Sequence, residues 1–258
     1  NTVVQSERFV YHLDREYTAD AARVREVIGE LRAIGHHAPV LASLTDHFEQ
    51  AITLAFAQAR RTQAVADFDE LHRRCDYSLR LARHVRDRGA SGGVLLHQLA
   101  NPWENFDDAK FFESKPAVMN SISVTMLGNE YESVAVALSN LRPHPATLRL
   151  VCGPFERGTN RIESRQVLAL HEVLNVRPDG TGELTEDPLP LLGESQTVRL
   201  EAGETRKVWL TLHSQSLAAG TWHATMKIGD IAAPELPMEI PLSIEVHPVR
   251  LPDRFTYR

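Results

Sequence analysis

The chain contains 258 residues, of which 43% are hydrophobic and 24% are charged, a balance typical of folded globular proteins rather than of disordered ones. This length suits two domains of ordinary size. The formal net charge of −6 at pH 7 argues against a nucleic-acid partner, because binding phosphates requires a concentrated positive surface. No apolar run reaches the roughly 18 to 20 residues of a membrane span, so none is predicted.

The first part of the chain, residues 1–88, has the apolar periodicity of helices. After an extended lead over residues 6–17, Thr18 is expected to cap a helix whose apolar residues recur every three or four positions. A second helix is predicted from Pro39 and a third from Thr62. Three helices with short connections predict an antiparallel bundle or hairpin.

The third predicted helix carries a heptad-like apolar seam. Residues on such a seam can engage a partner helix, so one hypothesis is a protein-interaction module in the helical part. The seam consists of Val65, Phe68, His72, Cys75, Leu79 and Ala82.

The same helix also carries many arginines, among them Arg73, Arg80 and Arg83. Acidic residues such as Glu70 and Asp76 are interleaved with them, which is typical of a solvated helix face with ion pairs. We therefore predict ion pairs there rather than a nucleic-acid surface.

A linker and an aromatic segment are predicted over residues 89–118. Gly and Ser in residues 89–93 are typical of a flexible linker. The following irregular segment contains Trp103, Phe106 and the pair Phe111-Phe112, and we expect these aromatic rings to pack onto the sheet that follows.

Residues 119–258 are predicted to form an antiparallel, Ig-like β-sandwich, so the fold class is α+β with separate helical and β domains. Short alternating segments are separated by turn residues, with no helices between them. The strands are predicted near residues 119–127, 131–140, 146–152, 165–175, 196–201, 205–213, 221–229 and 237–247.

Alternation also predicts which side chains face the core. Val208, Leu210 and Leu212 share one face, and Trp209 lies on the opposite, outward face, where an aromatic ring could stack on a sugar. A sugar platform usually needs two or three aromatic rings on one open face, so burial of Trp209 in the core or at an interface is the favoured interpretation. Trp222 aligns with core residues. Met238, Ile240, Leu242, Ile244 and Val246 share the core face of the last strand, and Pro241 predicts that this strand lies at an edge or is bulged.

Two carboxylates are ligand-binding candidates. Glu130 and Glu132 flank Tyr131 at the start of a predicted strand, so we expect their side chains on one face. Glycosidases hold two carboxylates about 5 to 10 Å apart across the sugar, and this spacing would suit such a pair. Any alternating strand offers the same spacing, however, and solvent exposure or an interdomain contact is the alternative interpretation. We predict no catalytic residue.

No metal or cofactor site is predicted. His36-His37 lies at a helix end without further ligands nearby in sequence. The neighbours His171 and Glu172 fall in a strand pattern and point to opposite faces. Cys75 and Cys152 lack metal-binding spacing, and the sequence leaves open whether they pair. The chain also contains no P-loop and no Gly-x-Gly-x-x-Gly motif.

Several segments occur in an order that resembles a known family. They are Glu-Tyr-Glu-Ser at 130–133, the strand at 134–138, Leu-x-x-Gly-Glu-x-x-x-x-Trp-Leu-Thr-Leu at 200–212, Gly-Thr-Trp-x-Ala-x-Met-x-Ile at 220–228, and Ile-Pro-Leu-Ser-Ile-Glu-Val at 240–246 followed by Leu251-Pro252. Together they resemble the N-terminal β-sandwich that precedes the catalytic barrel in glycoside hydrolase family 123 and its domain-of-unknown-function relatives. The resemblance covers residues 101–258.

The resemblance implies a non-catalytic accessory module next to a catalytic-type domain of the same protein. In the family the acid and its carboxylate partner lie in the barrel, so no catalytic residue is carried over to this chain. The resemblance also implies a secreted bacterial carbohydrate-active protein, located extracellularly or in the periplasm. Because the chain begins at Asn1 rather than at methionine, we expect a processed product or a piece of a longer protein. The rival hypotheses are a carbohydrate-binding module that uses Trp209 and the protein-interaction module described above.

Overall fold

The protein is described by a computed structural model that divides into two compact units. The helical unit comprises Asn1–Gly93, Asp108–Lys115 and Leu141–Pro143, and the sheet unit comprises Val94–Asp107, Pro116–Asn140 and His144–Arg258. The structure describes residues 2–38, 41–88, 93–99, 101–176, 185–186 and 189–252, with backbone alone at 2–17, 98, 109, 175–176 and 234–236.

Three helices form most of the helical unit: α1 (Thr2–His37), α2 (Ala42–Thr62) and α3 (Val65–Arg88). The extended lead predicted for residues 6–17 is wrong, because α1 already includes it. No proline or glycine precedes Gly29, so nothing in this part of the chain interrupts a helix. Among the described residues, no helix has the combination of length and apolarity needed to cross a membrane.

The three helices contact one another and bury one face each. The absence of a side chain at Gly35 lets α2 approach α1 closely, since a Cβ there would collide with the Thr45 hydroxyl. Between α2 and α3, Gln63 adopts a left-handed conformation (φ 55°) and its N–H donates to the Ala59 carbonyl at 2.9 Å. This cap ends α2 and allows a connection of only two residues.

The predicted seam on α3 is only partly correct. Cys75 and Ala82 are completely buried inside the helical unit, whereas Val65 is exposed. The buried face of α3 is Leu71, Cys75, Tyr77, Ser78, Leu81, Ala82, His84 and Val85. Because α1 and α2 also contact α3, the central seam residues are not available to a partner helix.

The predicted ion pairs on the helices are present. Arg83 makes two hydrogen bonds to the Glu30 carboxylate, at 2.5 and 2.6 Å, and the pairing lowers the pKa of Glu30. Glu70 accepts from both Arg73, at 2.8 Å, and Arg74, at 2.5 Å, and the hydrogen bond from Arg73 is the main reason that its pKa is lowered. Most of these groups are partly exposed, so each pair stabilises the unit by less than about 1 kcal/mol.

The aromatic segment does not pack onto the sheet as a whole. Its second half forms a short helix, α4 (Asp108–Phe111), and a 3-10 turn (Phe112–Ser114), both in the helical unit. Phe112 is buried there, with its ring centroid 6.0 Å from that of Tyr77 and 5.3 Å from that of His84. The aromatic segment is therefore divided between the two units, with Phe112 buried in the helical one.

The sheet unit contains two main sheets and a small third one. The strands are β1 (Val94–Gln98), β2 (Ile122–Gly128), β3 (Tyr131–Asn140), β4 (Ala146–Cys152), β5 (Phe155–Arg157), β6 (Asn160–Ile162), β7 (Leu168–Glu172), β8 (Asn175–Val176), β9 (Thr185–Glu186), β10 (Thr197–Leu200), β11 (Thr205–His213), β12 (Gly220–Asp230) and β13 (Ala233–Arg250). The first sheet has the strand order β1-β3-β11-β7. The second has the order β10-β4-β12-β13-β2, with β5 paired to β12 and β6 paired to β5, and the third pairs β8 with β9.

The predicted β-sandwich is confirmed, and each of the eight predicted strands has a counterpart. Three details differ. Strand β1 occupies residues that were predicted to be irregular. The short strands β5, β6, β8 and β9 were not predicted. Strand β2 pairs with β13 in parallel, so the second sheet is mixed rather than purely antiparallel.

The predicted core faces are also confirmed. Val208, Leu210, Leu212 and Trp222 are buried in one large cluster with residues from both main sheets. The core face of β13 is also as predicted, with Ile240, Leu242, Ile244 and Val246 buried and Met238 packed against them.

Pro241 lies where β13 changes from an edge strand to an interior strand. It pairs with Thr225 of β12 on one side, while pairing with β2 on the other side begins only at Leu242. A residue without an N–H is tolerated at such a position because no hydrogen bond is required on the open side. The predicted edge position is therefore correct locally, although most of the following segment of β13 lies between two strands.

Candidate functional site

Trp209 does not form the exposed sugar platform that its outward direction suggested. It does lie on the face opposite Val208, but only 5% of its surface is exposed. It packs with Ala135 and Val173 in a small second cluster. An outward-facing strand position is thus covered by other parts of the chain, so the favoured interpretation of Trp209 as a buried residue is correct and the alternative of an exposed Trp209 is wrong.

A buried ion pair holds in place some of the residues that cover Trp209. Lys207 and Glu186 are 2% and 8% exposed, and the Lys207 Nζ lies 2.5 Å from the Glu186 Oε2. Lys207 also donates to the carbonyl of Glu104 at 2.9 Å, and Glu186 accepts from the backbone N–H of Phe106 at 2.7 Å. The pair therefore fastens the segment 104–106 and strand β9 onto β11.

Glu130 and Glu132 have different environments. Glu130 lies in the turn between β2 and β3, where its carboxylate accepts the N–H of Leu127 at 2.5 Å. Its backbone N–H donates to the buried Ser214 hydroxyl at 2.9 Å, and that hydroxyl donates to the Leu127 carbonyl at 2.6 Å. Glu130 therefore builds a turn, whereas Glu132 lies on β3 and lines a cleft.

This cleft has a volume of about 360 Å³ and lies where β1 ends beside β3. Pairing of β1 with β3 stops at Val136, so the edge of β3 around Glu132 lies beyond the end of β1. Hydroxyl groups line the cleft together with Glu132, and Trp103 stands at its margin. The hydroxyl-bearing residues are Ser121, Ser123 and Ser133.

Trp103 was predicted to pack onto the sheet, but most of its surface is exposed. It is 74% exposed, and its ring meets that of Trp209 in a T-shaped contact with centroids 4.6 Å apart. Its backbone N–H donates to the Asn101 side-chain oxygen at 3.0 Å. The Asn101-Pro102 pair was a turn signal, and turns carry side chains at the surface.

The last described residues leave the sheet beside the β2–β3 turn. Arg250 pairs with Gly128, and the N–H of Leu251 donates to the Gly128 carbonyl at 2.7 Å. The side-chain amide of Asn129 donates to the carbonyls of Leu251, at 3.2 Å, and Pro252, at 3.4 Å. We call this arrangement of Gly128, Asn129, Leu251 and Pro252 the exit clamp.

An aromatic stack lies on strand residues next to the same turn. Tyr131 and His213 are paired in register on β3 and β11, and their rings stack at 3.8 Å with an interplanar angle of 4°. Tyr131 is 68% exposed. Burial, together with the positive charge of Arg250, lowers the pKa of His213, so the neutral imidazole is favoured in the folded protein.

The remaining titratable candidates have structural partners. His37 lies within 2.7 Å of the Ala33 carbonyl at the end of α1. His171 contacts the Leu189 carbonyl at 3.0 Å, whereas its neighbour Glu172 pairs with Arg206 at 3.3 Å. Across the part of the chain with described side chains, no three His, Cys, Asp or Glu residues form a group that could hold a metal ion.

Cys75 and Cys152 are both free and buried. Burial raises the pKa of each thiol to about 11. Because the thiolate is the reactive form, both sulfur atoms are unreactive near neutral pH in the folded protein.

Comparison with known proteins assigns no family. No protein-family model matches the sequence, and no curated protein sequence matches it. A solved family 123 glycoside hydrolase from Clostridium perfringens, analysed for glycolipid glycan hydrolysis, is 13% identical with a TM-score of 0.48, and the match covers 62% of this chain and 28% of the hydrolase.

Other solved structures are similar over about half of the chain. A FixG-related protein from Vibrio parahaemolyticus is 10% identical with a TM-score of 0.29, covering 46% of this chain and 80% of that protein. The periplasmic chaperone SfaE is 7% identical with a TM-score of 0.30, covering 51% of this chain and 58% of the chaperone. At such values no activity, ligand or partner is transferred to this chain.

Proposed function

We propose that the sheet unit is a non-catalytic supporting module that sets the direction in which the chain continues toward an adjacent domain of the same protein. The sequence resemblance described above implies that this neighbour is a catalytic-type domain of a carbohydrate-active bacterial protein found outside the cytoplasm. The observation that carries the proposal is the exit clamp.

The clamp would give the chain a defined direction as it leaves the sandwich. Strand β13 lies between β12 and β2 from Leu242 to Val246, and beyond this segment Arg250 still pairs with Gly128 of β2, so the end of the strand cannot move without breaking sheet pairing. Beyond the strand, Leu251 and Pro252 are bonded to the β2–β3 turn. Asn129 has φ 61°, a left-handed conformation that Asn tolerates better than most residues and that directs its amide toward the exit. A flexible linker would not require these contacts.

The surface beside the clamp suits contact with a neighbouring domain. The stacked Tyr131 ring is large, exposed and held in one orientation by His213. Aromatic side chains of this kind contribute much apolar area to an interface while losing little conformational entropy. We therefore include this stack in the proposed contact surface.

Limited proteolysis tests the clamp. Replacing Asn129 by Gly removes the amide while keeping the left-handed conformation available. Two long hydrogen bonds together contribute about 1 kcal/mol, so trypsin cleavage after Arg250 should become roughly 5 times faster in N129G. Gln196 is a matched control because it also has a positive φ, 49°, in a turn elsewhere, and Q196G should leave this cleavage unchanged. Equal cleavage after Arg250 in N129G and the unmodified chain would remove the basis of the proposal.

Hydrolysis of aryl-glycosides tests whether the module is non-catalytic. We expect no turnover above that of a blank. Turnover that disappears in E130Q or E132Q, but persists in the control E245Q, would overturn the proposal. Glu245 lies on the exposed face of β13 and makes no contact with the turn or the cleft used here.

A further inference from the structure

We propose that the cleft between Trp103 and Glu132 binds a neutral mono- or disaccharide. This inference goes beyond the supporting role of the sheet unit, because the cleft and the exit clamp use different residues. Either one can be true without the other.

The exposed indole is positioned in advance of binding. Trp103 has its ring edge-on to the buried Trp209 and its backbone bonded to Asn101. With 74% of its surface exposed, it still offers most of its area to a ligand. A fixed aromatic ring loses little entropy on binding, and its apolar face packs well against the C–H groups of a sugar ring.

The other groups in the cleft match sugar hydroxyls. The Glu132 carboxylate is an acceptor that can receive two hydroxyl protons, and the Ser121 and Ser133 hydroxyls can donate or accept. Apolar atoms of Val134 line the same cleft. An aromatic ring combined with a few polar groups that fix orientation is the composition expected of a small-molecule site.

Charge and size restrict the class of ligand. The described residues around the cleft include one carboxylate and neither lysine nor arginine, which disfavours phosphates and other anions. The volume of about 360 Å³ lies near the lower end of the range of roughly 300–1,000 Å³ for small-molecule sites. Both features favour one or two neutral sugar units over a long or charged ligand.

The test is a titration of neutral hexoses, N-acetylhexosamines and their disaccharides, followed by tryptophan fluorescence and by calorimetry. For a shallow site with so few polar groups we expect dissociation constants on the order of 1 mM. At least one of these sugars should saturate and shift the emission of Trp103 to shorter wavelength. If none of them saturates at about ten times that concentration, the proposal is wrong.

Variants identify the site. W103A and E132Q should weaken binding at least tenfold, and W103F should retain part of the affinity because it keeps an aromatic face. E245Q is the matched control for E132Q, since Glu245 is an exposed carboxylate on β13 that does not line the cleft, and the affinity of this variant should stay within twofold. Thermal unfolding of each variant checks that the fold is retained.

Two further outcomes would overturn the proposal. One is equal affinity in W103A and the unmodified chain. The other is tighter binding of a phosphorylated hexose than of the parent sugar, because it would contradict the role of the Glu132 charge. Loss of sugar binding with normal protection at Arg250 would leave the supporting role intact, so failures of the two proposals can be distinguished.

Discussion

The buried ion pair between Lys207 and Glu186 leads to a quantitative prediction about stability. Replacing Glu186 by Leu leaves the Lys207 ammonium 2% exposed with one remaining acceptor, the Glu104 carbonyl. Removing one partner of a buried pair costs about 3–5 kcal/mol, because the other charge stays desolvated. We therefore expect E186L to lower the free energy of unfolding of the sheet unit by about 3 kcal/mol.

Replacing Lys207 instead of Glu186 should lower the free energy of unfolding by a smaller amount. Lys207 lies on β11, which is bonded to β3 at this position and cannot turn outward. Glu186 lies on β9, whose strand partner is the short β8, so after loss of Lys207 its carboxylate can reach water with little disruption. We expect K207M to cost about 1–2 kcal/mol. The double variant should be more stable than E186L, because two apolar side chains replace a desolvated pair.

Urea unfolding followed by tryptophan fluorescence measures these differences. All three tryptophans, Trp103, Trp209 and Trp222, belong to the sheet unit, so the signal does not include the helical unit. The matched control is E239L, because Glu239 forms an ion pair with Lys227 at 2.8 Å in which both side chains are 56% exposed. Loss of that exposed pair should cost less than about 1 kcal/mol.

Two results would refute the reasoning. If E186L costs no more than E239L, the pair is solvated in solution and does not fasten β9 to β11. If the double variant is less stable than E186L, the residual buried charge is not the source of the penalty. In either case other contacts must hold residues 104–106 and strand β9 over Trp209.

Three other predictions concern the remaining features. W222A should lower the stability of the sheet unit by about 3–5 kcal/mol in the same urea experiment, because Trp222 is buried and its indole donates to a carbonyl; a loss under about 1 kcal/mol would contradict its core position. Since the pKa of Glu30 is lowered in the folded state, its pair with Arg83 stabilises the helices above the unfolded pKa of about 4.5, and this contribution disappears as the pH falls through the lower folded value. R83A should therefore reduce helix stability by less than about 1 kcal/mol at pH 7 and by nothing near pH 2, and an equal loss at both pH values in circular dichroism melts would refute the pairing. Cys75 and Cys152 should resist alkylation at pH 8 in the native protein and both react in denaturant without a reductant, whereas failure to react in denaturant would indicate a disulfide.

Periodicity in the sequence predicted the layers of the fold because local geometry determines which way a side chain points. In β11, alternation correctly assigned Leu210 to the core and Trp209 to the other face. It could not indicate that Trp209 is covered, since the covering groups come from residues 104–106 and from β9, which are distant in sequence. Strand β1 was missed because its five residues are flanked by turn signals and its partner β3 is far along the chain.

For the candidate site residues too, the sequence predicted the local arrangement but not the contacts between distant segments. Spacing placed Glu130 and Glu132 together, but a hydrogen bond to Leu127 draws the Glu130 carboxylate into the turn. Trp103 and Glu132 line the same cleft only because folding brings their segments together. Sequence alone offered no signal for that proximity.

The sequence by itself determined the order of the helical and sheet parts, the main strands, and the core faces of β11 and β13, because propensity and period act over a few neighbouring residues. The tertiary structure decided the parallel pairing of β2 with β13, the burial of Trp209, the exposure of Trp103 and the clamp on Leu251. Each of these depends on contacts between segments far apart along the chain, which local periodicity does not specify.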